Sequence, residues 1–423
     1  MSDWSCMADG LVEEADPAKT GRNLNELIVG PAGSGKTLSN AYSRLLYTSE
    51  SSVVVPIAKR AIKERFKKMF QDRGYEVIDL DYNCPENSSI GYDPLDFIYS
   101  DEEIVHLSTN LVEGDRKDGK GPDDPYWEKS AESAISGMIS LEFIIAKDEH
   151  RLPSFAKVLE RYRAMKIDYR NNNVAKTSLD PLFERVESRH PGNQASFLWK
   201  TVTDLAPRTL SCIFSIVNGA MDKIFSESIV EMMKKKKRID FARLGKKRTA
   251  LFITTSPMNL TLTNLVNLIY ADLFRVLFEA AEKNEDYRLE VPVHFICDDF
   301  ACSSRISKFE SYISIFRAAG ISVTLLLQSE SQLEDMYGET AATTIINNCD
   351  TYVYMGGNDH MTCKHISERL NMPLHKVMSL PLEKVVVFRR GSEPFVSRRY
   401  QILEDQNYKT IILGNPDESL QKH

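Results

Sequence analysis

The apolar positions of this chain change their period twice. From Asn25 to Leu80, short apolar runs alternate with amphipathic stretches. Leu27–Val29, Val53–Val55 and Tyr75–Leu80 are too short for helices and read as buried strands. Between the last two, residues 58–73 set Ile62, Phe66, Met69 and Phe70 on one helical face, and Gly74 follows as a helix stop. Strands alternating with helices imply a mostly parallel sheet covered on both faces. From about 101 to 230 strand signals become sparse. Trp127, Ala131, Ala134, Ile135, Met138, Ile139 and Ile145 recur at helical spacing there, and Gly119-Lys-Gly-Pro and Arg170-Asn-Asn-Asn mark loops. Strands return at Thr249–Thr254, Val291–Cys297, Ser322–Leu327 and Thr351–Met355, with helices between. Lys384–Arg390 and Pro394–Arg399 flank Gly-Ser-Glu and read as a terminal hairpin. The predicted organisation is an α/β domain from residues 22–100 and 231–423, interrupted by an all-α domain at 101–230, with a tail at 1–21.

Composition narrows the class. With 42% hydrophobic and 27% charged residues, disordered, collagenous and disulfide-scaffold chains are excluded. No run of 18 apolar residues occurs, so a spanning helix is not expected. The acidic first residues lack the apolar centre of a secretory signal. Seven cysteines without a C-x-x-C pair suit free thiols in a reducing cytoplasm. A net charge of −7 argues against a protein that coats DNA over its whole surface. The basic runs Lys234–Arg238 and Lys246–Arg248 read first as a solvated helix end and a turn.

The strongest chemical signal is Gly30-Pro31-Ala32-Gly33-Ser34-Gly35-Lys36-Thr37, which satisfies G-x-x-x-x-G-K-[ST] between a strand and a helix. Its glycines let the backbone wrap closely, so that N–H groups point at phosphate oxygens, and the following helix adds its positive end. Lys36 can reach the β- and γ-phosphates, and the Thr37 hydroxyl can ligate Mg²⁺. The expected cofactors are therefore ATP and Mg²⁺. The metal needs a carboxylate at the end of a buried strand. Val293-His-Phe-Ile-Cys-Asp298-Asp299 supplies two acids. Asp298 would hold the metal's water shell, and Asp299 would orient or deprotonate the attacking water. Asp298 lies far along the chain from Lys36, a separation that fits an inserted domain.

Downstream residues carry a more specific pattern. Asp298-Asp-Phe-Ala, Lys308-Phe-Glu, Phe316-Arg317-Ala-Ala-Gly, Leu325-Leu-Leu-Gln328-Ser-Glu-Ser-Gln, Ile345-Ile-Asn-Asn-Cys-Asp350 and Met355-Gly-Gly occur in order. This block resembles the conjugative coupling proteins, the TraG/TraD-like ATPases of type IV secretion systems. Arg22-Asn-Leu-Asn, Tyr126-Trp127-Glu-Lys and Lys246-Lys-Arg-Thr-Ala-Leu-Phe extend the resemblance over roughly residues 20 to 400. It implies a RecA-like P-loop domain carrying an all-α domain. It also implies a hexameric ring that recruits a DNA–relaxase complex or a protein substrate and feeds a secretion channel by hydrolysing ATP. Gln328 would sense the γ-phosphate, and Arg317 would reach the neighbouring subunit's nucleotide.

Two departures stand out. Relatives carry Asp-Glu where this chain has Asp298-Asp299, and the missing methylene implies slower hydrolysis. The Asp-Pro-Lys-Gly turn of relatives is replaced by Val55-Pro56-Ile57-Ala58-Lys59. The resemblance also implies an N-terminal membrane anchor that does not occur here, so the expectation is a soluble fragment, an anchor on a separate chain or a naturally cytosolic protein. Membrane contact is thus expected only through a missing anchor or a partner chain, at the cytoplasmic face, and an unanchored chain is expected to be monomeric in isolation. The alternatives to a motor are a nucleotide-gated docking module with weak hydrolysis and a related DNA-pumping motor. His360, Cys363 and His365 lack a fourth ligand at matching spacing and read as a helix start. Tyr126-Trp127 reads as core rather than a base-stacking pair.

Overall fold

The computed structural model describes residues 3–57, 60–114, 125–168, 176–222, 225–254, 260–298, 300, 305–306 and 308–414. The sheet is built from β1 (Glu26–Val29), β2 (Ser52–Pro56), β3 (Glu76–Asp81), β4 (Thr249–Thr254), β5 (Val293–Cys297), β6 (Ile321–Leu327), β7 (Thr351–Tyr354), β8 (Lys384–Arg389) and β9 (Phe395–Arg398). Their order across it is β9-β8-β7-β1-β6-β5-β2-β4-β3. Neighbours from β7 to β3 pair in parallel, and β7–β8 and β8–β9 pair antiparallel. The central strands β1, β4, β5 and β6 are buried at every position. That explains their uninterrupted apolar runs, since a parallel strand is covered on both faces. The edge strand β9 alternates between half-buried and exposed residues instead.

The chain leaves this sheet after β3 and returns through β4, which pairs with β3 from Glu76–Thr249 to Asp81–Thr254. The intervening segment is helical: α1 (Asp101–Gly114), α2 (Tyr126–Asp148), α3 (Phe155–Ala164), α4 (Asp180–Arg189), α5 (Gln194–Thr203) and α6 (Pro207–Asp222). A two-residue ladder, Ile167–Asp168 with Lys176–Thr177, interrupts it. Helix α2 is central, with Ala131, Ala134, Ile135, Met138 and Ile139 buried. Trp127 packs partly buried against this core, while Tyr126 is exposed and meets the Trp127 ring edge-on.

Entry and exit of the helical segment are tied in a two-strand neck. Gly91 N–H donates to the Lys237 carbonyl at 2.8 Å, and Ile239 N–H to the Gly91 carbonyl at 2.9 Å. Just inside it, buried Asp93 accepts from Ser154 Oγ at 2.8 Å and from the Phe155 N–H, with Arg238 3.5 Å away. Tyr92 OH donates to buried Asp272 at 2.6 Å. Burial, then the Asp93 charge, raises Asp96 to about 6, and burial raises Asp272 to about 6. A raised carboxyl pKa means that the fold prefers the protonated acid. The stabilisation is complete below the unfolded pKa and is lost as pH rises through about 6. Asp96→Asn and Asp272→Asn should therefore each flatten the fall in melting temperature between pH 4 and 7, by the equivalent of roughly 2 kcal/mol. Thermal scans of each variant beside the parent check this, and parallel pH profiles would refute it.

The first residues do not form the expected tail. Trp4–Ala8 and Leu11–Glu14 pair antiparallel. Asp3 Oδ1 accepts the Ser49 and Glu50 N–H groups at 2.6 and 2.7 Å, and Ser5 donates to buried Glu26. Cys6, Met7 and Ala8 are buried consecutively, so the strand lacks the alternation that would mark it in sequence. Of the two basic runs, Lys234–Arg238 leads into the return half of the neck, with Lys235 Nζ on the Pro85 carbonyl at 2.7 Å. In the other, Lys247 pairs with Glu76 at 3.3 Å and Arg248 donates to the Ser49 carbonyl at 2.9 Å. No helix among the described residues is long and apolar enough to cross a membrane.

Candidate functional site

The glycine-rich loop leaves the sheet between β6 and β7. Gly30 N–H donates to the Leu327 carbonyl at 3.1 Å, and Met355 N–H to the Val29 carbonyl at 2.8 Å. Gly33 and Gly35 take φ values of 79° and 87°, in the left-handed region that favours glycine. Gly30 is needed for space, because a Cβ there would stand 2.9 Å from Met355 Cβ and from Ser34 Oγ. After the loop, a widened turn at Thr37–Ala41 runs into the helix Tyr42–Leu46. Ser39 N–H donates to the Gly35 carbonyl at 2.8 Å and Tyr42 N–H to that of Thr37, so the turn is tied directly to the loop.

Lys36 is buried to 7% exposure and folds back over the loop, with Nζ 2.6 Å from the Gly30 carbonyl and 3.1 Å from that of Pro31. Thr37 Oγ1 donates to Asp298 Oδ2 at 2.9 Å, across 261 residues of chain. Strand β6 lies between β1 and β5, so the loop and the acidic strand end are one strand apart on the same edge. Burial and then the Asp298 charge push Tyr42 up to about 12, which places that phenol within the carboxylate's field.

Gln328 follows β6 directly, and β6 pairs with β1 through Leu327–Val29. It therefore emerges beside Gly30. It lines a cleft of about 260 Å³ together with Pro31, Ala32, Gly356, Gly357 and Asp359. Arg317 is exposed near the end of the helix Phe309–Ala319, which leads into the start of β6. The seven residues of β6 span roughly 23 Å, so Arg317 and Gln328 mark opposite sheet edges. Asp299, Ala58 and Lys59 lie outside the described residues. Cys363 is buried against Tyr354, and His365 Nδ1 lies 2.7 Å from buried Glu330. His360 opens the helix His360–Leu370, as expected for that motif.

The structure adds one residue that no sequence motif marks. Arg399 follows β9 and donates from Nη1 to the Ser34 carbonyl inside the loop. A Cβ on Gly35 would stand 2.9 Å from the same nitrogen. The Arg399 position has no fixed spacing from the loop, so only the folded sheet reveals it.

The loop, the hydroxyl–carboxylate contact and the strand order are those of a P-loop nucleotide site. The sequence profile described as "Type IV secretory system Conjugative DNA transfer" matches residues 12–380. The chain belongs to this family. Protein VirD4 of Agrobacterium fabrum (strain C58 / ATCC 33970) is 21% identical over 416 residues, covering 95% of this chain and 58% of VirD4. The chain thus spans little more than half the length of that relative. Among solved structures, the plasmid coupling protein TrwB in complex with the GTP analogue GDPNP aligns with a TM-score of 0.65. It is 17% identical, with 92% of this chain and 88% of that one covered. TrwB with ADP and Mg²⁺ aligns at 0.64 and 16% identity, with the same coverage. VirB4 of Thermoanaerobacter pseudethanolicus aligns at 0.53 and 10% identity over 95% of this chain and 96% of its own. These likenesses establish the RecA-like P-loop fold expected for the family.

Proposed function

We propose that this protein is an ATP-hydrolysing coupling protein of a type IV secretion or conjugation system. It would recruit a DNA–relaxase complex or a protein substrate at the cytoplasmic face of the membrane and pass it to the secretion channel. The hydrogen bond from Thr37 to Asp298 carries the reading. It unites two distant segments at one strand edge, in the arrangement a metal–nucleotide complex needs. The two oxygens are hard donors suited to Mg²⁺, and the metal would supply charge neutralisation at the β- and γ-phosphates.

In this reading Lys36 binds the terminal phosphates and Thr37 and Asp298 hold the metal. Gln328 contacts the γ-phosphate from the adjacent strand end, and Asp299 orients the attacking water. Residues 22–100 and 231–423 form the motor, and 101–230 form the helical domain that meets the substrate. Family membership and the TrwB complexes with nucleotide analogues support this assignment.

Arg317 stands at the far edge of its own sheet and is exposed, which suits a group that completes the site of a neighbouring subunit in a ring. Turnover per subunit should then rise with protein concentration. Arg317→Ala should lower turnover about 1,000-fold while ATP affinity stays within a few-fold. Steady-state hydrolysis across a concentration series, with binding measured in parallel, tests this. ATP bound without turnover at any concentration would refute the motor and leave a docking module.

A further inference from the structure

We propose that Arg399 is a second cation for the bound polyphosphate, delivered to the far end of the loop by the chain's C-terminal strap, so that nucleotide and strap hold each other in place. The inference rests on the nucleotide reading above and adds a residue and a coupling to it.

Lys36 and Arg399 occupy opposite ends of the same loop. Lys36 donates to the carbonyls of Gly30 and Pro31, and Arg399 to that of Ser34. Both cations therefore rest on neutral carbonyl oxygens of the loop. An anionic phosphate oxygen is the stronger acceptor for either, because its full negative charge adds a Coulomb attraction that a neutral carbonyl lacks. Arg399 also has donor capacity to spare. Its Nε is buried without an acceptor among the described residues, and so is the Ser34 hydroxyl beside it. A buried, unmatched guanidinium N–H is costly, and a phosphate oxygen has the chemistry to satisfy it. Gly35 deepens the approach: a Cβ there would lie 2.9 Å from Nη1 and 3.5 Å from Cζ. The glycine that lets the loop wrap a phosphate thus also admits the guanidinium.

The strap is fixed to the same helix that follows the loop. Tyr47, at the end of that helix, donates to Asp405 Oδ2 at 2.6 Å, and Tyr400 donates to the same carboxylate. Asp405 Oδ1 in turn accepts the Tyr408 N–H at 3.0 Å. Residues Tyr408–Leu413 then pack against the helix Arg60–Asp72. A ligand that draws on Arg399 must therefore stabilise residues 400–413, and by linkage a displaced strap must weaken the ligand.

The test is calorimetric titration of ADP and ATP with Mg²⁺ into the full chain, beside Lys36→Ala, Arg399→Ala and Arg399→Lys. Hydrogen exchange of residues 400–413 is followed with and without ADP. Arg399→Ala should weaken both nucleotides about tenfold or more, and Arg399→Lys should recover part of that loss. ADP should slow exchange in the strap of the parent chain and not in Arg399→Ala. Should Arg399→Ala fail to fold, the lysine variant and the parent's exchange pattern decide on their own. Arg399→Ala binding within twofold of the parent, while Lys36→Ala weakens binding about 100-fold, overturns this inference and leaves the nucleotide reading intact. A parent chain that binds no nucleotide overturns both.

Discussion

Lys36→Ala is expected to weaken ATP binding by about 100-fold while moving the melting temperature of the nucleotide-free protein by only a few degrees. The two halves of this result have separate causes. In the free protein the ammonium is buried and held by two backbone carbonyls, at 2.6 and 3.1 Å. Its removal leaves those carbonyls without one donor but also relieves the cost of a buried charge, and the two effects offset. The loop itself is held by contacts that do not involve the lysine. Gly30 N–H is tied to Leu327, Ser39 N–H to Gly35, and Thr37 to Asp298. With a triphosphate present the balance changes, because the ammonium then faces two or more anionic oxygens. Each such contact contributes about 1.5–3 kcal/mol, and 1.4 kcal/mol is a factor of ten in affinity. Titration of ATP with Mg²⁺, paired with thermal scans in its absence, checks both halves. A variant that binds ATP as the parent does would remove the loop from the function.

How much of this was readable in the chain depends on where the information resides. The strands were legible because each is a short run with a buried face. Thr249–Thr254 was predicted at its observed limits, and the C-terminal hairpin differs from Lys384–Arg389 and Phe395–Arg398 by one residue at three of its four ends. The loop and Asp298 were legible because phosphate and metal chemistry demand particular residues at particular spacings. The strand order was not, since β4 enters between β2 and β3 only through pairings across more than a hundred residues. The N-terminal hairpin was missed for a related reason: its inner strand is buried by tertiary contacts on consecutive residues, leaving no period to detect. Arg399 and the neck at Gly91 belong to the same class. Each does its work through space, against partners that the local sequence does not specify.

Gly91 gives the sharpest test of that last point. Alanine there is expected to lower stability by roughly 3–5 kcal/mol, a loss near the upper end for one substitution. The backbone at Gly91 is not left-handed, so conformational freedom is not the reason for the glycine. The reason is contact: an added Cβ would stand 2.0 Å from the Met232 carbonyl oxygen and 2.7 Å from Lys235 Cβ. A carbonyl in the return chain cannot swing aside as a side-chain tip can. The neck must open instead, taking with it the hydrogen bonds from Gly91 to Lys237 and from Ile239 to Gly91. Gly245 supplies the comparison. A Cβ there would meet Leu289 Cδ2 at 2.5 Å, the far end of a flexible side chain, and Gly245→Ala should cost only about 1–3 kcal/mol. The loss at Gly91 should also be local in its chemistry. The chain passes through the neck after β3 and again before β4, and β3 is separated from the loop strand by four others. ATP affinity in Gly91→Ala should therefore stay within a few-fold of the parent, while the helical segment melts first and becomes open to limited proteolysis near residues 91 and 238. A single unshifted transition in Gly91→Ala would mean that the two chain crossings do not carry the helical segment.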